Sequence, residues 1–306
     1  MRRRARHRVA LAGAWLYLLT STFVFAAASE TINPKAKYPE GPVLIGGVLY
    51  YAEMSADRVV TWDGTAQKTF FKRDRCGPTS ISPMSGDRLA VLCHLENAVV
   101  IVSKAGDTLK VLHEDTEGAR LTLPNDSHSD RAGGVFFSSS GPFHISAQPS
   151  GRLFHLAADG TVTQVAQDLT YPNGVFVTPD RVLYVSEHMG KRILRYAIGP
   201  DNKLTPIALF ADIGTLDEEI GAAPARVGPD GLEVTPDGTV YVSIYGAGKI
   251  LKLSAAGALL KAIDAQVRYV TNLVLDLPAR RMIVTGAHSN TKFPFVGMVY
   301  EMAIDD

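Results

Sequence analysis

The 306-residue chain has only two cysteines, no excess of either charge, and no long apolar run after its first 28 residues. Each scarcity excludes something. Neither Cys76 nor Cys93 is tied by a fixed pattern to a neighbouring histidine base, so no cysteine nucleophile is legible. Lys and Arg number 31 against 31 Asp and Glu; setting aside Arg2, Arg3, Arg4, Arg6 and Arg8 leaves 26 against 31, a mildly acidic body. Such a surface has no electrostatic footprint for a phosphate backbone, which excludes nucleic acid as a partner and leaves small molecules or proteins. Gly246-Ala247-Gly248-Lys249 lacks the length and terminal hydroxyl residue of a phosphate-binding loop. Ser138-Ser139-Ser140-Gly141 is not a nucleophile elbow, and its all-β context is wrong for one. A convincing helical period is also missing after the first segment, except over residues 216–223.

What is present begins with an address. Residues 1–8 are basic, residues 9–25 are mostly apolar, and Ala26, Ala27 and Ala28 offer a small-residue cleavage site, so residues 1–28 read as a signal peptide and 29–306 as the mature domain. No cysteine lies at the cut to take a lipid, so the expectation is an exported, periplasmic or secreted protein. A membrane association follows only if the signal stays uncleaved. Export permits a Cys76–Cys93 disulfide; two buried thiols are the alternative.

With 46% apolar residues, 27 Gly and 17 Pro, the body can bury a full core. From Val48 onward one pattern recurs: a turn, three or four apolar or aromatic residues, then one small residue. The six small residues are Ala52, Cys93, Ser138, Ser186, Ser243 and Thr285. A second strand and a turn follow most of them, so each unit reads as an antiparallel meander. Short strands repeating every 40 to 50 residues or so predict an all-β fold, a six-bladed β-propeller of four-stranded antiparallel blades. The longest insertion, residues 210–227, is a candidate lid.

Counting back 12 residues from Ala52 and 13 from the other small residues reaches Glu40, Ser80, Asn125, Asn173, Asp230 and Asn272, all oxygen-bearing. In a propeller equivalent positions surround one axis, so an inward-facing ring of carboxylates and amides suits one hard divalent cation, calcium above all. It lacks the thiolates and histidines that zinc or copper prefers. Gly or Pro flanks Glu40, Asn125, Asn173 and Asp230. Such residues also serve as plain turn formers; the shared offset is what favours a metal.

At Glu40-Gly41-Pro42, Asn125-Asp126, Asn173-Gly174 and Asp230-Gly231-Leu232 the chain resembles the family of senescence marker protein, gluconolactonase and luciferin-regenerating enzyme-like propellers, over roughly residues 38–304. The resemblance implies a calcium ion held by Glu40, Asn173 and Asp230, with Asn125 close to both metal and substrate. It further implies that Asp230 orients or deprotonates the attacking water. Sugar-lactone-hydrolysing members carry arginine two residues before the Asn of the second motif; here that residue is Leu123. The expected activity is metal-assisted hydrolysis of a small lactone or ester. The competing expectation is a ligand- or protein-binding propeller with a structural calcium and no catalysis. His188 and Tyr245 are candidate substrate contacts, and His128, His144, His288 and Phe143 are further candidates for the same face.

Overall fold

Runs rich in β-branched and aromatic residues extend into strands here because they are bounded by residues that accept left-handed backbone, among them Asp57, Asp87, Asn97 and Asn202. A computed structural model describes residues 30–216, 226–291, 293 and 295–304. The signal segment expected over residues 1–28 lies outside the described residues, as do residues 217–225 of the candidate lid and helical stretch.

In chain order the strands are β1 (Glu30–Lys37), β2 (Pro39–Ile45), β3 (Val48–Glu53), β4 (Arg58–Trp62), β5 (Gln67–Lys72), β6 (Pro78–Met84), β7 (Arg88–Cys93), β8 (Ala98–Ser103) and β9 (Thr108–Leu112). Then come β10 (Pro124–Ser129), β11 (Val135–Ser139), β12 (Gly151–Leu156), β13 (Val162–Leu169), β14 (Pro172–Val177), β15 (Val182–Glu187), β16 (Arg192–Ile198) and β17 (Leu204–Asp212). The last are β18 (Gly228–Val234), β19 (Val240–Tyr245), β20 (Lys249–Leu253), β21 (Leu259–Asp264), β22 (Tyr269–Asp276), β23 (Arg281–Ala287) and β24 (Val296–Ala303).

Strands β2 to β5, β6 to β9, β10 to β13 and β14 to β17 make four separate four-stranded sheets, and the other eight strands form one sheet. Within the larger sheet, β18 to β21 and β22 to β24 with β1 are two four-stranded units that meet at the pair Tyr245 and Tyr269. The first strands β2, β6, β10, β14, β18 and β22 touch one another in that cyclic order, β22 returning to β2. The units are thus arranged as propeller blades around a central channel. β1 pairs antiparallel with β24, from Glu30 against Glu301 to Lys37 against Val296, so both ends of the described chain share the last blade.

Between neighbouring blades apolar side chains interdigitate. Phe176, Ile193 and Phe210 of the fourth blade pack with Val240, Val242 and Leu251 of the fifth, all buried; each such side chain contributes about 2 kcal/mol on leaving water. Cys76 and Cys93 are disulfide-bonded, with Cα atoms 4.4 Å apart. Of the two alternatives open in the sequence, the structure holds the disulfide. It closes a loop across 17 residues, a constraint that removes about 3 kcal/mol of entropy from the unfolded chain.

Candidate active site

Four oxygen residues converge because each begins a channel strand at a β-bulge. The ladder register slips between Glu40 and Val43, Pro124 and Ser127, Pro172 and Val175, and Pro229 and Leu232. An extra residue there re-aims the side chain out of the pleat. As a result Glu40, Asn125, Asn173 and Asp230 all line one cavity of about 720 Å³ at one end of the channel, and all four are buried. The motif glycines permit the close approach of adjacent blades. A Cβ on Gly174 would stand 2.3 Å from the Asp230 carbonyl oxygen, and one on Gly41 would stand 2.3 Å from that of Thr79.

Ser80 and Asn272 correct the expected six-membered ring. In their strands the slip comes one residue earlier, between Pro78 and Ser80 and between Val270 and Asn272. A one-residue change of phase sends a side chain to the other side. Thr79 therefore lines the cavity in place of Ser80, while Ser80 and Asn272 line a second cavity of about 390 Å³ that also contains Asp126. There Ser80 Oγ donates to Asp126 Oδ1 at 3.0 Å, and Leu273 N donates to Asn272 Oδ1 at 2.7 Å.

The recurring small residue has a task in the next blade. Ser138 Oγ donates to the Asn173 carbonyl at 2.7 Å, Ser186 Oγ to the Asp230 carbonyl at 2.6 Å, and Ser243 Oγ to the Thr271 carbonyl at 3.2 Å. Each serine is fully buried. Ser186→Ala is expected to cost about 1–2 kcal/mol in denaturant unfolding, because the Asp230 carbonyl loses a buried donor; an unchanged midpoint would show that this bond contributes nothing.

Two tyrosines form the wall beside the oxygen cluster. Tyr38 and Tyr171 stand two residues before Glu40 and Asn173, with φ of 52° and 58°. That backbone is costly for a bulky residue, by about 1–3 kcal/mol, and persists only where neighbours hold it. The holders are buried glutamates. Lys37 N donates to Glu53 Oε1 at 3.1 Å and Thr170 N donates to Glu187 Oε1 at 2.6 Å, each just before its tyrosine. Glu53 and Glu187 are in turn paired with Arg58 and Arg192. The Tyr38 and Tyr245 hydroxyls bond each other at 2.8 Å. Phe143 meets Tyr171 edge-on with ring centroids 5.0 Å apart, and the rings of Phe143 and Tyr245 lie 5.3 and 5.6 Å from that of His188.

The electrostatics are those of concentrated, desolvated negative charge. Burial, and then the charges of Asp230 and Asp126, push the Glu40 carboxyl well above the usual range. Burial and the charge of Asp126 do the same to Asp230, whose buried Oδ1 has no hydrogen-bond partner. Asn125 Nδ2 donates to Ser140 Oγ at 2.9 Å, while Ser140 itself donates to the Pro172 carbonyl. That chain fixes the amide orientation and leaves the Asn125 oxygen as the free acceptor. Among the described residues no group of three or more His, Cys, Asp and Glu side chains is placed to hold a metal. The oxygen set, two carboxylates and two amides with one unpartnered carboxylate oxygen, fits a hard cation. Burial lowers the His188 pKa to about 4. Its Nε2 lies 3.1 Å from the Arg226 carbonyl and therefore donates, which leaves the buried, unpartnered Nδ1 as an acceptor.

His188, Tyr245 and Phe143 line the cavity as expected. The other three candidate histidines do not. His144 is exposed and bonded to Ser146, His288 is exposed beyond β23, and His128 lines the second cavity, its ring tilted against that of Phe176 with centroids 4.4 Å apart. Burial pushes the His128 pKa down to about 4. Because the unfolded chain protonates near the ordinary value of about 6.5, stability present above that pH is lost as pH falls towards the folded value. At pH 5 the wild type is expected to lose about 2 kcal/mol more of its pH 7 stability than His128→Gln, read from urea unfolding. Equal losses would mean that His128 protonates as freely folded as unfolded. Tyr38, Tyr171, His94 and Arg226 line the cavity without having been singled out. For the tyrosines a signal existed, namely the position two residues before an oxygen residue. Leu123 holds that position with φ 52°, and its N–H is taken by Asn97 Oδ1 at 2.7 Å; it is not part of the cavity wall.

The chain is 26% identical over 199 residues to Lactonase drp35 of Staphylococcus aureus, covering 61% of this chain and 56% of that one. It is 30% identical over 177 residues to Pentonolactonase XacC of Haloferax volcanii, covering 53% of each. The chain thus spans about half the length of these two relatives. A solved regucalcin, described as a calcium-binding protein, from Agrobacterium tumefaciens superimposes with a TM-score of 0.73 at 16% identity, over 90% of this chain and 93% of that one, and shares the fold. The family model for the SMP-30/gluconolactonase/LRE-like region matches residues 38–288, from the strained Tyr38 beside Glu40 to the end of the last blade's second strand, and the chain belongs to that family.

Proposed function

We propose that the protein is an exported, metal-dependent hydrolase of small lactones or esters, with one divalent cation, calcium by preference, at the four-residue oxygen cluster. The observation that carries this reading is the meeting of the Glu40 and Asp230 carboxylates with the Asn125 and Asn173 amides in one buried cavity, with Asp230 Oδ1 unpartnered. The likeness to Lactonase drp35 and Pentonolactonase XacC supports the reaction class. The Cys76–Cys93 disulfide supports an oxidising compartment.

Glu40, Asn173 and Asp230 would hold the cation, which when bound supplies Lewis-acid polarisation of the substrate carbonyl. Asp230 Oδ1 accepts a hydrogen bond from water and turns its lone pair towards the acyl carbon. Asn125 contributes a fixed amide oxygen at the substrate side, and the neutral His188 contributes a second acceptor through Nδ1. Tyr38, Tyr171 and Tyr245 exclude bulk water, which strengthens every polar contact inside. Purified protein is expected to contain one divalent cation per chain by elemental analysis, and its turnover of a lactone and aryl-ester panel should vanish with chelator and return with calcium. Full rates in stripped protein would overturn the mechanism. Bound calcium without turnover of any panel member would favour the binding propeller instead.

A further inference from the structure

Resting on the hydrolase reading above, we infer that the site is competent only once Cys76 and Cys93 are joined, because their disulfide fixes the loop that places Asn125. Oxidation thereby switches the enzyme on, and a reducing compartment holds it off. The first and fourth blades anchor the backbone before their oxygen residues from within, through Glu53 and Glu187, which accept the Lys37 and Thr170 N–H groups at 3.1 and 2.6 Å. Each glutamate directly follows the recurring small residue of its blade. In the third blade that place is taken by Ser139, whose Oγ reaches the Thr122 N–H only at 3.3 Å. The firmer hold on this segment comes from the second blade. Asn97 Oδ1 accepts the Leu123 N–H at 2.7 Å, and His94 Nδ1 donates to the Pro124 carbonyl at 3.0 Å, so the turn after β7 grips both residues before Asn125. Leu123 has a φ of 52°, a backbone that persists only where neighbours hold it.

That turn is itself tied down by the disulfide. Cys93 ends β7, directly before His94, and Cys76 lies just ahead of β6. Around the bond, Leu95 N donates to the Cys76 carbonyl at 3.0 Å and His94 N to the Gly77 carbonyl at 3.1 Å. Arg73 forks onto Glu96 with bonds of 2.6 Å each. Both cysteines are fully buried, and two thiols need more room than two bonded sulfurs. Reduction therefore forces the strand ends apart at the point from which the turn reaches the third blade. Arg75, His94 and Leu95 line the cavity, so its wall moves as well. The bond forms by exchange with a disulfide donor, small or protein. One cysteine thiolate attacks the donor and the other then displaces it; two electrons and the two thiol protons pass to the donor, which leaves as its thiols.

The test compares the oxidised, metal-loaded protein with the same protein carrying free thiols. Reduction is expected to lower kcat/KM for lactones at least tenfold, mainly through KM, and oxidised glutathione to restore it. Calcium affinity should stay within threefold, since Glu40, Asn173 and Asp230 belong to other blades. Asn97→Gly, which accepts the φ of 56° but lacks the acceptor, should cost at least fivefold with the disulfide intact, and Asn97→Asp should keep most of the activity. Hydrogen exchange separates the inference from the hydrolase reading. The Leu123 amide should exchange at least tenfold faster in reduced protein and in Asn97→Gly, with the Thr170 amide unchanged. That pattern without turnover by the oxidised protein supports the coupling of the disulfide to the site and removes the catalytic reading. Equal turnover in both redox states, or Leu123 and Thr170 loosened alike, overturns the inference.

Discussion

Asp230→Asn is expected to lower kcat/KM for lactone hydrolysis by about 10³-fold while making the metal-free protein more stable by about 2 kcal/mol. The two effects have one origin. Asp230 is 4% exposed, its Oδ1 has no hydrogen-bond partner, and the charge of Asp126 bears on it. Without a cation such a carboxylate is held against both desolvation and repulsion, so a neutral amide of nearly the same shape relieves both. With a cation the same charge is what the site needs, and the variant loses both a metal contact and the acceptor that orients water. Thermal unfolding with and without chelator reads the first effect: the wild type should be stabilised by calcium and the variant scarcely. Wild-type turnover in Asp230→Asn, with unfolding unchanged, would remove Asp230 from the site altogether.

Glu187→Ala is expected to cost about 3 kcal/mol of stability and to raise KM for the lactone substrate. Glu187 is fully buried, accepts the Thr170 N–H at 2.6 Å and pairs with Arg192. The Arg192 side chain is 43% exposed, so water compensates much of its loss. The cost falls mainly on the abandoned backbone amide and the space left in the blade. That amide immediately precedes Tyr171, whose left-handed backbone then loses its anchor on the cavity wall. Glu187→Gln keeps an acceptor for Thr170 and should recover about half of the stability and most of the KM. The same relation links Glu53, Lys37 and Tyr38, so Glu53→Ala should behave alike. A stability loss with KM untouched would show that the glutamate serves the blade alone.

The repeat was legible because blades are local objects: strand, turn and strand pair within a few tens of residues, and turn chemistry marks each boundary in the chain itself. The offset from each small residue to Glu40, Asn125, Asn173 and Asp230 was legible for the same reason, since both ends of the count belong to one hairpin. It failed at Ser80 and Asn272 because a bulge one residue earlier changes which side chain faces the cavity without changing the count. The scattered histidines were misplaced for a related cause. Lying near a strand end does not say which end of the channel that is, and His128 and His188 ended at different ones.

Composition, periodicity and motif spacing by themselves determined the all-β repeat, the order of its units and the four oxygen residues that share a cavity. Only the tertiary structure decided that the serine ending one blade holds the carbonyl of the next, that β1 completes the last blade, that Cys76 and Cys93 are bonded, and that aromatic residues from several blades close over the site. All of these are contacts between segments far apart in the chain, set by the closing of the ring and the phase of each bulge, and no local pattern encodes either.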